Sequence, residues 1–551
     1  MTEPNMFSSA PDIPAAQPGK HSVHSGNSHR FPQASIAVSS AADETGLPRP
    51  LNAGLKYLRH MIEAVREALA SGDAEQARSV LRKNWLRLIL ESHTGELEQL
   101  CLAHPDPHDP HILLIRACCR DLSGDPYGAE FLRGQGLRVA SDDFVVCFTD
   151  LLLAPDTSTK AVIADRARHA LSQCEQEDDY PSALFLLGWT EVRLRRDLPR
   201  AIALLRSASE EARLQSRAET LRLAQSNLAF ALTHAGAFTE AEQILDGLPS
   251  REAASDWERF EGGLPQSNRG CIAFWRGDFE EAIAQFDSII VEGSPGTDFE
   301  ALARLYLVMS LIALSREDRY HYAALLLRGV STADKHGIPW DTLRRVTTAW
   351  LAHAQRQDEQ ARRIARPALA RTGAAVAHAL LAELYRVLGD PVPATQALRL
   401  ATSAGLPRYA LVSTLVTSAA LSSISGHGLQ AHEQLDRALE AAIPERILAP
   451  FLADDPVIVD LLNAHAIRGS RHHGLLRTIL ERRNQLSALL VGVLTEREKE
   501  ILAYLRTAMT ADEIAAHLGI AYPTVKTHIR SIYRKLGVTK RRDAVQAADS
   551  R

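Results

Sequence analysis

The chain has 551 residues, with 62 Lys and Arg against 67 Asp and Glu, a formal net charge of -5. Its 46% hydrophobic and 23% charged content suits a soluble protein with large cores, and the length calls for several domains or one extended repeat array. No run of about 18 apolar residues occurs, which argues against a membrane-spanning helix.

Six cysteines (Cys101, Cys118, Cys119, Cys147, Cys174 and Cys271) lie scattered, without a C-x-x-C pair. That usage points to reduced thiols in a cytoplasmic protein rather than to a disulfide framework or a zinc site. Residues 1–48 mix Ser, Pro, Ala and Gly with few large apolar residues and no Tyr or Trp. Such a stretch cannot offset the entropy of ordering and is expected to be a disordered tail. It lacks a basic start followed by an apolar run, so no secretory signal is expected. Its histidines His21, His24 and His29 are read as part of a polar tail, not as a metal site.

From 49 to 465 apolar residues recur at three- and four-residue spacing between short turns, the pattern of consecutive amphipathic helices. One phrase repeats: "GDFEEAIAQF" at 277–286 has a Gly-Asp turn, an aromatic residue, two acids, and Ala282 near the start of a second helix. Equivalent alanines stand at Ala77, Ala129, Ala161, Ala201, Ala241, Ala323, Ala361, Ala394 and Ala431, with Ala161 the weakest member. Their steps cluster near 40 residues, the period of a solenoid built from paired antiparallel helices. Alanine at the anchor permits close helix approach, and Gly188 and Gly270, on the first helix of their units, serve the same packing. The units resemble tetratricopeptide repeats, with "NRGCIAFWRGDFEEAIAQFDSI" carrying the fullest match. Trp189, Trp257, Trp275, Trp340 and Trp350 are assigned to filling gaps between helices.

Residues 466–489 form a linker, and 490–551 a separate domain of four short helices. Thr495 with Glu498, and Thr510 with Glu513, give two Thr-x-x-Glu capping boxes. Gly519 and Gly537 suit left-handed C-caps, and Pro523 suits a first helical turn. On the third helix, at about 100° per residue, Val525, Ile529, Ile532 and Leu536 make a narrow apolar stripe. Thr527 and Arg530 with Arg534 fall opposite, flanked by Lys526 and Ser531. From Thr524 to Arg542 there are seven Lys or Arg and no Asp or Glu; residues 494–551 carry net +4, which leaves -9 for the remainder. Segregation of this kind steers the basic end towards phosphates. A helix clamped along one seam, with cations and hydroxyls opposite, suits the major groove of double-stranded DNA, as in a helix-turn-helix.

The segment Leu494–Ala547 resembles the DNA-binding domain of LuxR-type transcription regulators. The match rests on Leu494-Thr495-x-Arg497-Glu498, Glu513-Ile514-Ala515, Leu518, Thr524-Val525-Lys526-x-His528 and Lys535-Leu536-Gly537-Val538, with Arg541 and Ala544-Val545. Ala521 departs from the Ser that usually caps the third helix in that family. The resemblance implies that Lys526, Thr527 and Arg530 reach base edges while Thr524, Ser531 and Arg534 hold phosphates. It also implies a homodimer on DNA paired through the helix from Arg541 to Ala547, with RNA polymerase and an unidentified effector as further partners.

A solenoid before such a domain resembles the large LuxR-type activators related to the maltose-operon activator, and "ERILAPFLADDPVIVDLL" at 445–462 resembles the segment that closes their superhelix. Those proteins carry an ATP-binding domain. No G-x-x-x-x-G-K-[ST] occurs here, so no nucleotide, other cofactor or metal is expected. Without HExxH, GxSxG or a paired-carboxylate constellation, no enzymatic activity is expected either. The expectation is an all-α, cytoplasmic, sequence-specific DNA-binding regulator of transcription, most simply an activator. The alternative is a solenoid scaffold or adaptor for which DNA binding is secondary.

Overall fold

The computed structural model describes residues 50–549 apart from 139–142, 174–178, 249–259, 261, 263, 293–297, 333–337, 403, 404, 454, 492, 493, 508 and 537. Side chains at 50–56, 292, 298, 487–491, 534, 535 and 547–549 are likewise outside the description. The expected tail at 1–48, its three histidines and Trp257 therefore lie outside the described residues.

The described residues are helices joined by short turns, with no β-strand among them. Ten helix pairs follow one another, from Pro50–Ser71 with Ala74–Leu90 to Arg408–Ile424 with Gly428–Ala442; the extra helix Thr94–Leu102 follows the first pair. Nine of the ten anchor alanines, Ala282 among them, are at most 3% exposed. Ala161 is the exception. It is only half-buried, and Ala164, three residues further along the same helix, is fully buried and takes the anchor position.

Each repeated turn has a physical cause. The residue five before the anchor has a positive φ at Gly72, Gly124, Gly236, Gly277, Gly389 and Gly426, which ends the first helix of the unit. Arg356 holds the same place at φ 63° without the freedom of a glycine. The next residue often caps the second helix: Asp73 accepts from the Gln76 N–H at 2.9 Å, Asp125 from Gly128 at 2.9 Å and Asp197 from Arg200 at 3.0 Å. A Cβ on Gly188 would sit 2.7 Å from Leu205 Cγ, and one on Gly270 would sit 2.7 Å from the Phe286 ring. These two glycines are where paired helices touch.

The tryptophans fill gaps as expected: Trp189, Trp275 and Trp340 are buried, and Trp350 is half-buried with its Nε1 donating to Leu380 O at 3.2 Å. Trp85 is fully buried as well. Cys101, Cys118, Cys119, Cys147 and Cys271 are buried free thiols, and burial pushes the Cys101 thiol up to about 12.

The chain returns on itself at its middle. Leu448 N–H donates to Trp275 O at 2.9 Å, and Thr239 N–H donates to the Glu445 carboxylate at 2.7 Å. Tyr409 stacks on Trp275 at 4.5 Å between ring centroids, while Ile447 and Phe451 are fully buried. Residues 445–452 thus pack against the repeat at 275–278.

The stretch expected to be a linker is largely helix, spanning His473–Val491. Leu476, Ile479 and Leu486 are buried within the core of the solenoid. Arg482 Nη2 donates to Gly277 O at 3.2 Å and pairs with Asp278 at 2.8 Å; Arg483 donates to Phe451 O at 2.7 Å and Ala453 O at 2.8 Å. A charge count along 466–490 gives no sign that these arginines point inwards, because the partners lie 30 to 205 residues away in sequence.

Candidate nucleic-acid interface

The C-terminal domain has a small core of its own. Leu494, Ile501, Leu502, Leu505, Ile514, Ala515, Val525, Ile532, Leu536 and Ala544 pack together, apart from the solenoid core. Four helices supply them: Glu496–Leu505, Ala511–Leu518, Tyr522–Leu536 and Arg541–Asp549. Both capping boxes form, with Thr495 and Thr510 accepting from the N–H groups of Glu498 and Glu513 and those carboxylates reaching back. The Thr510 backbone N–H and hydroxyl hold the Glu513 carboxyl below its usual range. Gly519 ends the second helix at φ 64°, in the left-handed region only glycine enters without strain. Gly537 lies outside the described residues.

The turn and the third helix are held by two arginines. Arg497 Nη2 donates to Leu518 O at 3.1 Å, at the end of the second helix. Arg541 donates to four carbonyls at the end of the first helix: Leu505 at 3.0 Å, Met509 at 2.5 Å, Tyr504 at 3.3 Å and Thr507 at 2.7 Å. Such bonds satisfy carbonyls that a helix end leaves unpaired. Arg541 therefore leaves the set of cations free to face an anion.

On the third helix the expected stripe is inward: Val525 and Ile532 are fully buried, Leu536 is 8% exposed and Ile529 is half-buried. Thr524, Lys526, Thr527 and Arg530 are exposed together on the other side. Lys526 Nζ lies 5.3 Å from the centre of the Tyr522 ring, and the Thr527 hydroxyl donates to Pro523 O at 2.9 Å. The ring steadies the ammonium group without neutralising it. Arg534 lies on this helix, but its side chain is outside the described residues.

Ser531 requires correction. The resemblance groups it with the phosphate-holding residues, yet it is 3% exposed and its Oγ donates to Glu498 Oε1 at 2.7 Å. Glu498 Oε2 meanwhile accepts from Thr495 N–H at 2.9 Å, so one buried carboxylate joins the first helix's cap to the third helix. In this structure the Ser531 hydroxyl is engaged by Glu498 and ties the third helix to the first rather than facing outwards. The sequence hinted at half of this arrangement through the capping box; the Glu498–Ser531 bond spans 33 residues and left no local mark.

The four helices, their caps and the exposed cationic face define a helix-turn-helix. Residues 492–548 match the luxR family of bacterial regulatory proteins, and this segment is a LuxR-type helix-turn-helix domain. The chain is similar to the HTH-type transcriptional regulator MalT of Vibrio cholerae serotype O1, 29% identical over 161 residues, covering 24% of this chain and 18% of that protein. It is 49% identical over 55 residues to MalT of Cronobacter sakazakii, covering 10% and 6%. The chain thus spans less than a fifth of the length of these relatives. The solved APC/C hetero-tetramer Cut9-Hcn1 is similar at a TM-score of 0.42 and 13% identity, over 88% of this chain and 97% of that one. Among the described residues no helix is long and apolar enough to cross a membrane, and no group of three His, Cys, Asp or Glu could hold a metal ion.

Proposed function

We propose that the chain is a cytoplasmic, sequence-specific DNA-binding regulator of transcription, in which the helical repeats receive an effector or dock a partner. The observation that carries this reading is the division of one helix, Tyr522–Leu536. Val525 and Ile532 are fully buried while Thr524, Lys526, Thr527 and Arg530 stand exposed on one face. A helix about 10–12 Å across with its side chains fits a major groove about 12 Å wide, where arginine recognises guanine and phosphates select cations.

Lys526, Thr527 and Arg530 would reach base edges; Thr524 and Arg534 would hold phosphates. Two copies would sit on a paired site through the helix Arg541–Asp549, and RNA polymerase would be recruited beside them. The regulators named among its relatives support this reading, and it assigns the chain no enzymatic activity. The test maps the full-length protein on its own genome, then measures Arg530→Ala on the site recovered. A cost of about 1–3 kcal/mol there, with little loss on random DNA, is expected. Equal losses on both sequences would remove Arg530 from base recognition, and absence of any specific site would overturn the regulator reading.

A further inference from the structure

The helix His473–Val491 meets the repeat solenoid along a seam that is not closed throughout. A cleft of about 270 Å³ opens there, lined among others by Arg276, Asp278, Arg446, Thr478, Glu481 and Arg482. Three chain segments contribute: the turn after helix Pro265–Arg276, the return segment around Arg446, and one face of the helix leading to the DNA-binding domain. At about 30 Å³ per water, the space holds about nine waters or a small metabolite.

The charges are unevenly used. Arg276 pairs with Glu242 at 2.6 Å and donates through Nε to Glu445 O at 3.3 Å. Arg482 pairs with Asp278 at 2.8 Å. These contacts fix both guanidinium groups at the wall. Arg446 is exposed and makes no ion pair among the described residues, and its backbone is left-handed at φ 54°. Three arginines at one cleft form a fork-shaped set of donors for planar or tetrahedral oxyanions. Glu481 and the Thr478 hydroxyl, on the same helix as Arg482, and Asp278 on the opposite wall offer acceptors, which favours a ligand that also carries hydroxyl or ammonium groups.

We propose that this cleft binds a small polar anion, a phosphomonoester or carboxylate bearing hydrogen-bond donors, and that its occupancy sets how firmly the helix His473–Val491 is held to the solenoid. Because that helix ends at Val491 and the first helix of the DNA-binding domain begins at Glu496, the ligand acts on the placement of the reader. This second half rests on the regulator reading above. A ligand contacting both walls binds the docked arrangement better than the undocked one, which is the differential affinity that any such control requires.

Full-length protein in phosphate-free buffer at constant ionic strength is titrated by calorimetry with inorganic phosphate, glycerol 3-phosphate and citrate. Saturable binding of at least one is expected, and the ranking separates phosphomonoester from carboxylate chemistry. Arg446→Gln should weaken it by about tenfold or more. Thr478→Phe, which fills the cleft from an exposed helix position, should do the same, whereas Arg471→Gln outside the cleft should not. No saturation by about 10 mM of any probe, or undiminished binding by both cleft variants, overturns the site. The anion that binds should also shift affinity for the operator by about threefold or more. Intact anion binding with unchanged operator affinity overturns the coupling alone; intact anion binding without any DNA binding overturns the regulator reading alone.

Discussion

The solenoid and the DNA-binding domain use the same residue types to opposite ends. In the solenoid, charges turn inwards to tie distant segments together: Arg386 pairs with Asp455, and Glu191, fully buried, receives Arg168 and Arg196. In the DNA-binding domain Thr524, Lys526, Thr527 and Arg530 of the third helix stay outside, while Ser531 and the flanking Arg541 are drawn in. The solenoid gains its order from what is missing, since alanine and glycine allow helices to touch. The small domain, with few apolar residues to bury, depends on its caps. Composition therefore says little about role in this chain; what decides it is whether an unpaired carbonyl or carboxylate lies within reach.

The largest test of that contrast is Arg386→Met. The Arg386 and Asp455 side chains are 2% and 11% exposed, and Asp455 also caps the helix Pro456–Arg468 by accepting from Val457 N–H at 3.0 Å. Removing the guanidinium leaves a nearly buried carboxylate without its counter-charge, which costs about 3–5 kcal/mol. Chemical denaturation should show that loss in the solenoid transition while the DNA-binding domain, probed by hydrogen exchange, is unaffected. A cost below about 1 kcal/mol would mean that solvent screens the pair as it does on a surface.

Next comes the repeat anchor. Ala282 is fully buried where its helix begins against Pro265–Arg276, so Ala282→Leu should overpack the contact and cost about 1–3 kcal/mol. Glu281→Ala, exposed one residue earlier, should cost little. Equal thermal melting of the two variants would show that the repeat register is displaced. This register was legible because it repeats: the Gly-Asp turn and the alanine four residues beyond the aspartate recur, and each has a local physical cause. Where the phrase decays, at Ala161, the sequence alone picked a residue three positions too early. Resemblance marked 445–462 as a closing segment, but that it packs on Trp275, and that Arg541 clamps carbonyls of the first helix, was not legible, since both depend on partners far along the chain. On the third helix the apolar stripe could be read from spacing, whereas the burial of Ser531 could not, because a flanking position is inside or outside according to what the first helix presents to it.

Acid gives a third separation. His234 lies against Phe230, with 4.1 Å between ring centroids, and its Nδ1 is 3.0 Å from Phe230 O. Burial, then the Arg195 charge, push its pKa down to about 3. The native ring stays neutral while the unfolded chain takes up a proton below about pH 6.5, so stability falls as pH falls from about 6.5 towards 3. The slope is at most about 1.4 kcal/mol per pH unit, or about 2 kcal/mol at pH 5. His234→Phe should flatten this part of the solenoid's pH profile. A profile that keeps its slope in the variant would place the acid sensitivity elsewhere.

The smallest expected effect bears on the boundary between holding DNA and holding the reader together. Ser531 and Arg534 lie on the same helix one turn apart, and family resemblance groups both with the phosphates. The buried Ser531 hydroxyl is engaged by Glu498 at 2.7 Å, so Ser531→Ala should remove a buried hydrogen bond and cost the domain about 1 kcal/mol of stability. It should leave the salt dependence of DNA binding unchanged wherever the variant is fully folded. Arg534→Ala should instead lower the slope of log affinity against log salt by about 0.9, the release of one counterion, with little effect on melting. Measuring affinity across a salt series well below the melting temperature keeps the two effects apart, since unfolding lowers the active fraction without changing the slope. A weaker DNA affinity for fully folded Ser531→Ala would mean that the hydroxyl leaves Glu498 on binding and reaches a phosphate after all. An unchanged slope for Arg534→Ala would remove that arginine from the backbone contacts and leave Thr524 to carry the phosphate role on this helix.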